Sequence, residues 1–159
     1  MIDGPYLGLV LLGVLATGLM AGVFCAFSVL VMRALTALPP AQGVAAMNAV
    51  NRTAMAPAFM VLFLGAAALC AVIAVVTFVL WPQDGTALLL VGSVLYLAGA
   101  FGVTVLANVP RNDALMKLEP GTAEAVRYWP TYVREWTRWN HVRAVASAAA
   151  AVLYTLALV

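Results

Sequence analysis

The sequence predicts an all-α fold, a four-span transmembrane helical bundle, and three observations support this prediction. Of the 159 residues, 65% are hydrophobic and only 9% are charged, and the mean hydropathy is +1.05. A soluble domain of this size would have too few charges to cover its surface, whereas lipid accepts apolar surface directly. Long runs contain no acid or base, and the basic residues lie in or beside two connections. We therefore expect a single integral membrane domain over residues 1–159.

The predicted spans follow four apolar segments. About 20 apolar residues suffice to cross a bilayer core, and the first three segments contain that many. The last charge-free run, Ala144 to Val159, is shorter, so its helix is expected to begin near Thr131, directly after Pro130. The approximate bounds of the four spans are 5–32, 53–81, 86–108 and 136–159.

The distribution of basic residues predicts the orientation. All eight Lys and Arg residues lie in or beside the connections between spans 1 and 2 and between spans 3 and 4. Both ends of the chain and the 81–86 turn contain none. By the positive-inside rule, both basic connections are cytoplasmic and both termini are extracytoplasmic. We expect a multi-pass protein of the cell (inner) membrane.

The cytoplasmic connection between spans 3 and 4 is predicted to contain an amphipathic helix. Thr122 and Glu124 precede a run of mixed polar and apolar residues that ends at Trp129. Such a helix would lie on the inner membrane surface. Tyr128, Trp129 and Tyr132 would then be interfacial anchors.

Glycines four residues apart predict close helix packing in the first span. Gly18 and Gly22 form a small-residue ridge of the kind that lets membrane helices approach each other. The ridge could pack within the bundle, or it could form a homo-oligomer through the same face. Gly92, Gly99 and Gly102 predict similar packing in the third span.

Polar side chains in three segments are predicted to meet at the cytoplasmic face. A polar side chain in a membrane is costly unless it has a partner, so such a cluster indicates a functional site. The residues are Ser28, Arg33, Asn48, Asn51, Arg52, Asn108, Asn112, Asp113 and those of the 136–143 segment.

The amides in this cluster have different predicted roles. Asn48 and Asn51 share a helical face if the 41–52 stretch is helical. Asn112 is expected to be a helix N-cap. Asn108 ends a span, where an unpaired amide would be costly, so it is a stronger candidate for function.

The chain contains one histidine, His141, and no recognisable metal-ligand spacing. Zinc, iron and copper generally need three or four protein ligands, and Glu135 and Asp113 do not supply such a pattern, so we predict no metal. The two cysteines, Cys25 and Cys70, lie in apolar runs without a CxxC spacing and are expected to be small hydrophobic side chains.

An imidazole can accept a proton at physiological pH, so His141 is either a general base or a side chain that bonds a carbonyl at the interface. On an ideal helix His141 points about 100° away from Asn140. Trp136 and His141 therefore cannot both point straight at one small ligand. Either a pocket spans the gap through Asn140, or one of the two is structural. One stripe of this helix is formed by Tyr132, Trp136, Trp139, Asn140, Arg143 and Ser147.

Four stretches in this order carry a family resemblance. They are Phe24-Cys-Ala-Phe-Ser28 with Val31-Met32, the 43–51 stretch, Asn-Val-Pro-Arg-Asn-Asp-Ala-Leu at 108–115, and Trp-Thr-Arg-Trp-Asn-His-Val-Arg at 136–143. Together they resemble the family of small membrane proteins that includes the fungal anthrone oxygenases and many bacterial members without an assigned reaction. The last two motifs are the most specific.

The resemblance implies a monooxygenase that acts on a hydrophobic phenolic, anthrone-like or quinone-like molecule. Such an enzyme turns the central methylene of an anthrone into a carbonyl, with dioxygen as co-substrate and no flavin or metal cofactor. It implies His141 as the base, with Asn108 and Asn140 as the other catalytic residues. The implied substrate-binding residues are Trp136, Trp139, Asn112, Asn51 and Arg143.

Two other classes of function fit the same polar cluster. The first is a non-catalytic four-helix membrane protein that binds a hydrophobic ligand or a partner protein. A transporter is less favoured, because four short spans with no charge at their centre would need oligomer symmetry. The expected partners are the lipid bilayer and a hydrophobic small molecule, and no feature indicates nucleic acid.

Overall fold

Helices make up nearly all of the protein in a computed structural model, which describes residues 2–82 and 84–159. Regular structure within those residues is entirely helical, which confirms the all-α prediction. Gln83, in the predicted 81–86 turn, lies outside the described residues. The helices are α1 Gly4–Thr36, α2 Pro40–Thr53, α3 Pro57–Leu80, α4 Thr86–Met116 and α5 Ala123–Leu156.

Local sequence explains where the helices begin. Pro5, Pro40 and Pro57 lie in the first turns of α1, α2 and α3. Proline suits that position because its φ is already helical and its missing N–H would have no partner there. Helix α5 is instead capped by Thr122, whose hydroxyl oxygen accepts a hydrogen bond from the Ala125 N–H at 3.2 Å.

Three helices in the described part of the chain, α1, α3 and α4, are long and apolar enough to cross a membrane. Large apolar side chains are exposed on their outward faces, which marks a surface for lipid. Helix α5 runs along the same bundle and makes its most extensive contacts with α1. The most exposed outward side chains include Leu15, Leu30, Val61, Phe78 and Leu106.

Helices α1 and α4 contain π-helical turns. These turns are Phe27–Val31 in α1 and Leu95–Gly102 and Thr104–Asn108 in α4. A π-helical turn contains more residues than an α-helical one, so it changes which way the following side chains point, and it is frequent at functional sites. Ser28 and Asn108 lie in these turns and are buried.

The connection before the fourth predicted span differs from the prediction. Residues 123–129 are not a separate surface helix, because α5 continues through Pro130 without a break. Trp129 and Tyr132 are 4% and 0% exposed, and their rings stack with centroids 5.7 Å apart. The predicted interfacial anchoring was therefore wrong for these two residues. Their burial against α2 and the end of α4 holds this part of α5 in the bundle.

Asn112 is not an N-cap, because α4 continues through it to Met116. Of the two cysteines, Cys70 is buried among apolar side chains, whereas Cys25 is exposed on the outer face of α1.

Close helix packing occurs at Gly99, as predicted for the third span, and not at the ridge predicted for the first span. Gly18 and Gly22 are exposed, and a Cβ added to either would meet no atom within 4 Å. In contrast, a Cβ added to Gly99 would lie 2.6 Å from the Ala146 Cβ. The close approach of α4 to α5 therefore requires Gly99, while the Gly18 ridge faces away from the bundle.

Both chain ends lie at the same end of the bundle as the turn between α3 and α4. A Cβ at Gly85 would lie 3.1 Å from the Ala157 carbonyl oxygen and 3.4 Å from Ile2 Cδ1. Helices α1 and α5 are thus antiparallel and side by side. The polar segments of the sequence lie toward the opposite end.

Candidate functional site

A buried polar network joins α1, α4 and α5, and Asn140 is at its centre. The Asn140 side chain is 0% exposed. Its Nδ2 donates to the Phe24 carbonyl oxygen at 2.7 Å and to Ser28 Oγ at 2.6 Å. Because Ser28 lies in the π-helical turn of α1, this turn is held directly against α5.

Arg143 carries a positive charge into the same network. It is 6% exposed, and its Nη2 donates to Asn140 Oδ1 at 2.6 Å. Its Nη1 donates to Thr104 Oγ1 of α4 at 3.1 Å. The guanidinium carbon lies 4.4 Å from the ring centroid of Phe24 and 5.1 Å from that of Trp136, at distances typical of cation–π contacts.

The charge of Arg143 has no counter-charge in the described part of the chain. The ion pair found there joins Arg111 to Glu135, with 3.0 Å between Nε and Oε2. Arg143 Nε is buried and has no hydrogen-bond partner among residues 2–82 and 84–159. Burying an unpaired cation is costly even after the surroundings relax, so this arrangement points to a function that uses the charge.

Asn112 organises a second group of bonds closer to the connection between α4 and α5. Its Oδ1 accepts from Trp136 Nε1 at 2.8 Å and from the Tyr132 hydroxyl at 3.0 Å. Burial raises the pKa of the Tyr132 phenol far above its ordinary value, so the hydroxyl remains a donor. Asn108 Nδ2 donates to the Trp136 carbonyl oxygen at 3.3 Å. These bonds fix α5 against the end of α4.

Several buried polar atoms near these networks have no hydrogen-bond partner within the described ranges. Buried polar groups are normally paired, so each such atom calls for an explanation. They are Asn48 Oδ1, Asn51 Nδ2, Tyr96 Oη, Asn108 Oδ1, Thr137 Oγ1, Arg143 Nε and Ser147 Oγ.

His141 lies in a cleft between α1 and α5. The cleft has a volume of about 410 Å³, within the range of roughly 300–1,000 Å³ typical of small-molecule sites. Its lining contains three guanidinium groups and no carboxylate. Apolar walls and three hydroxyl groups complete it. The lining residues are Ser28, Val29, Met32, Arg33, Thr36, Val133, Arg134, Thr137, Arg138 and His141.

Ser28 belongs to both the cleft and the buried network. It lines the cleft together with His141, and its Oγ accepts a hydrogen bond from Nδ2 of Asn140, which does not line the cleft. The cleft and the buried cation Arg143 are therefore separated by two hydrogen-bonded side chains. Asn108, Asn140 and Trp136 lie behind the cleft lining rather than on it.

The predicted site residues thus divide into two places. As the helical geometry predicts, Trp136 and His141 do not point at one common space, since Trp136 is buried and His141 is exposed. Trp139 is 37% exposed and lies outside the cleft lining. Asn48 and Asn51 are both buried on one face of α2, which confirms that they share a face.

Phe24 and Thr104 belong to the site but were not predicted from the sequence. The stripe predicted on α5 does indicate which of its side chains face the bundle interior, because all its members except Trp139 are buried. For Thr104 and Phe24 the sequence offers no signal, since their contacts with Arg143 depend on how α4 and α1 are rotated.

No group of three His, Cys, Asp or Glu side chains within the described ranges could hold a metal ion.

A second cleft, of about 670 Å³, lies near the α4–α5 connection and contains none of the predicted site residues. Its lining is Pro110, Ala114, Lys117, Leu118, Glu124, Arg127, Tyr128 and Thr131.

Comparison with models of known protein families identifies the family of this chain. The sequence model of the anthrone oxygenase family matches residues 59–153, which is more than half of the chain. The matched region includes α3, α4 and most of α5, and with them Asn108, Asn140, His141 and Arg143. Comparisons with curated proteins and with solved structures returned no match.

Proposed function

Because this chain belongs to the anthrone oxygenase family, we propose that it is a membrane-embedded oxygenase-like enzyme. Its substrate is a hydrophobic phenolic molecule of the anthrone or quinone type. The reaction takes place at the cytoplasmic side, in the cleft between α1 and α5. Dioxygen is the co-substrate, and the reaction as proposed uses no flavin or metal.

Four spans are part of this proposal. Helix α5 packs along α1 over several turns. Gly13 of α1 lies beside Tyr154 of α5, and the Phe24 carbonyl of α1 accepts a hydrogen bond from Asn140 of α5. If α1 crosses the bilayer, α5 therefore crosses the same hydrocarbon layer. Exposed Val145 and Val152 give α5 an apolar outer face as well. The protein is then a multi-pass protein of the cell (inner) membrane. Both of its termini are extracytoplasmic, and its two basic connections face the cytoplasm.

The position of His141 is the observation that carries the proposed reaction. It is the one histidine of the sequence, and it lines a cleft with apolar walls and several hydrogen-bond donors. Oxygenation of an anthrone must begin with loss of a methylene proton, so a base is required. Apolar side chains such as Val29 and Met32 suit a flat polycyclic substrate and reduce its exposure to water.

The chemistry needs no further redox partner. His141 removes a proton from the methylene, and the resulting anion is an aromatic phenolate. This electron-rich anion transfers one electron to dioxygen, and the radical and superoxide combine into a peroxide at the same carbon. Loss of the second methylene hydrogen with cleavage of the O–O bond leaves a carbonyl and releases water. One anthrone and one dioxygen therefore give one quinone and one water.

Charged and hydroxyl groups of the cleft would hold the phenolate. Arg33, Arg134 and Arg138 supply positive charge, and Thr137 has a hydroxyl without a partner within the described residues. Such donors stabilise a developing oxyanion most when they are already in place. Trp136, Asn108 and Asn112 keep α5 in position behind the cleft.

Oxygen uptake tests this proposal. Purified protein in lipid nanodiscs is mixed with anthrone, and dioxygen consumption and quinone formation are followed beside protein-free nanodiscs. We expect the protein to consume one dioxygen per quinone formed and to exceed the spontaneous rate. Tight binding of anthrones and quinols without turnover would replace the proposal with a ligand-binding protein.

A homo-oligomer through the outward face of Gly18 and Gly22 remains part of the proposal. Both glycines are exposed, and small residues allow close contact between membrane helices. Cross-linking in native membranes should trap a dimer that Gly18→Leu abolishes. A dimer that survives this change would place the contact elsewhere.

A further inference from the structure

We propose that Ser28 donates the hydrogen bond that stabilises the substrate oxyanion in the cleft, and that the buried Arg143 polarises Ser28 through Asn140. This inference rests on the proposed function, and it assigns a role to a buried charge that the cleft alone does not explain. Ser28 is thus a catalytic residue, because it touches the substrate. Asn140 and Arg143 are positioning residues, because they act through Ser28.

The geometry is a continuous chain of short hydrogen bonds. Arg143 Nη2 donates to Asn140 Oδ1 at 2.6 Å, and Asn140 Nδ2 donates to Ser28 Oγ at 2.6 Å. The chemistry of the partners determines the orientation of the Asn140 amide. A guanidinium can only donate, so it faces the amide oxygen, while the Phe24 carbonyl can only accept, so it faces Nδ2.

The hydroxyl proton of Ser28 is the free end of this chain. Because Ser28 Oγ accepts from Asn140, its own O–H remains available as a donor. Within residues 2–82 and 84–159 that hydroxyl donates to no other atom. Ser28 lines the cleft that holds His141. The proton removed by His141 and the oxyanion bound by Ser28 therefore belong to one substrate molecule.

A buried cation polarises such a chain more effectively than an exposed one. Arg143 is 6% exposed, and no carboxylate in the described part of the chain neutralises it. Its field is little screened in a low-dielectric interior, and hydrogen bonds in series strengthen one another. The exposed cleft residues Arg33, Arg134 and Arg138 are screened by water and salt, so their charge does not replace that of Arg143.

A purely structural role would not require the charge. Arg143 joins α5 to Thr104 of α4, but buried ion sites can often be replaced by apolar residues of similar volume without loss of stability. The two roles therefore differ in what Arg143→Met would do. A purely structural role predicts no change in the electrostatics of the cleft, whereas the proposed role predicts such a change even where the protein stays folded.

The test uses 2-hydroxyanthraquinone, a flat phenol that cannot be oxygenated at a methylene and whose phenolate absorbs at longer wavelength than the phenol. The apparent pKa of the bound dye is measured by visible titration with full-length protein in nanodiscs. We expect Ser28→Ala to raise this pKa by about one unit relative to the wild type. Arg143→Met should raise it similarly, and Arg143→Lys should restore part of the difference. Arg127→Gln, outside the cleft, is the matched control and should change nothing.

Turnover provides a second readout. Loss of one oxyanion donor typically lowers kcat by about 100-fold to 1,000-fold, and Ser28→Ala should behave accordingly with anthrone. If the dye binds with the same pKa to wild type and Ser28→Ala, the relay is wrong although the cleft remains a binding site. If the dye binds to neither, the proposed function fails as well. Because Ser28→Ala removes one oxygen atom, it separates these outcomes even where Arg143→Met does not fold.

Discussion

Trp136 Nε1 donates to Asn112 Oδ1 at 2.8 Å, and this bond ties the middle of α5 to the last turn of α4. The same oxygen accepts the Tyr132 hydroxyl at 3.0 Å, so one amide satisfies two aromatic donors. Both donors belong to side chains that are at most 5% exposed. Asn112 thus has a structural role in the arrangement that positions α5 beside the cleft.

Asn112→Ala is expected to destabilise the protein by about 2–4 kcal/mol, because it leaves two buried donors without an acceptor. The measurement is thermal unfolding in detergent. Asp113→Ala, at an exposed neighbouring position, is the control and should have little effect. Equal stability of the two variants would show that Asn112 does not hold the helices together.

Gly99→Ala should also destabilise the protein, by about 1–3 kcal/mol, because the new methyl group would overlap Ala146 and force α4 away from α5. Gly18→Ala is the matched control, since a Cβ there meets no atom of the chain within 4 Å. Unfolding of both variants is compared in the same detergent. A larger effect at Gly18 would mean that the ridge on α1, and not Gly99, is the tight contact.

The proposed four-span topology predicts which positions are accessible from outside the cell. In a Cys25→Ala background, single cysteines are placed at Asp3, Ala123 and Val159, all of which are exposed. A membrane-impermeant thiol reagent applied to intact cells should label the first and last positions and spare Ala123. Labelling of only one terminus would indicate an odd number of spans and would remove α5 from the bilayer.

Hydropathy was sufficient to locate α1, α3 and α4, because lipid places one dominant demand on helices that cross it. The predicted span 5–32 lies within α1, and the predicted span 86–108 lies within α4. Helix α1 extends beyond its predicted end to Thr36, and Arg33 lies in its last turn, where a long charged side chain can reach water.

The contacts within the site depended on information that the sequence pattern does not contain. Asn112 follows Pro110 and has the composition of a helix start, but the preceding π-helical turn lets α4 continue. Trp139 belongs by spacing to the buried stripe of α5, yet it is 37% exposed because neighbouring helices cover only part of that stripe. The rotation of α1 that brings Ser28 to Asn140 likewise results from tertiary packing.

His141→Gln tests most directly the claim that the cleft between α1 and α5 is where a substrate proton is removed. The side chain is exposed, so the variant should fold normally and bind 2-hydroxyanthraquinone as the wild type does. Anthrone-dependent dioxygen consumption should fall by about 100-fold to 10,000-fold, the usual contribution of a general base. Undiminished turnover in His141→Gln, with binding unchanged, would contradict the assignment of His141 and of the cleft as the catalytic site.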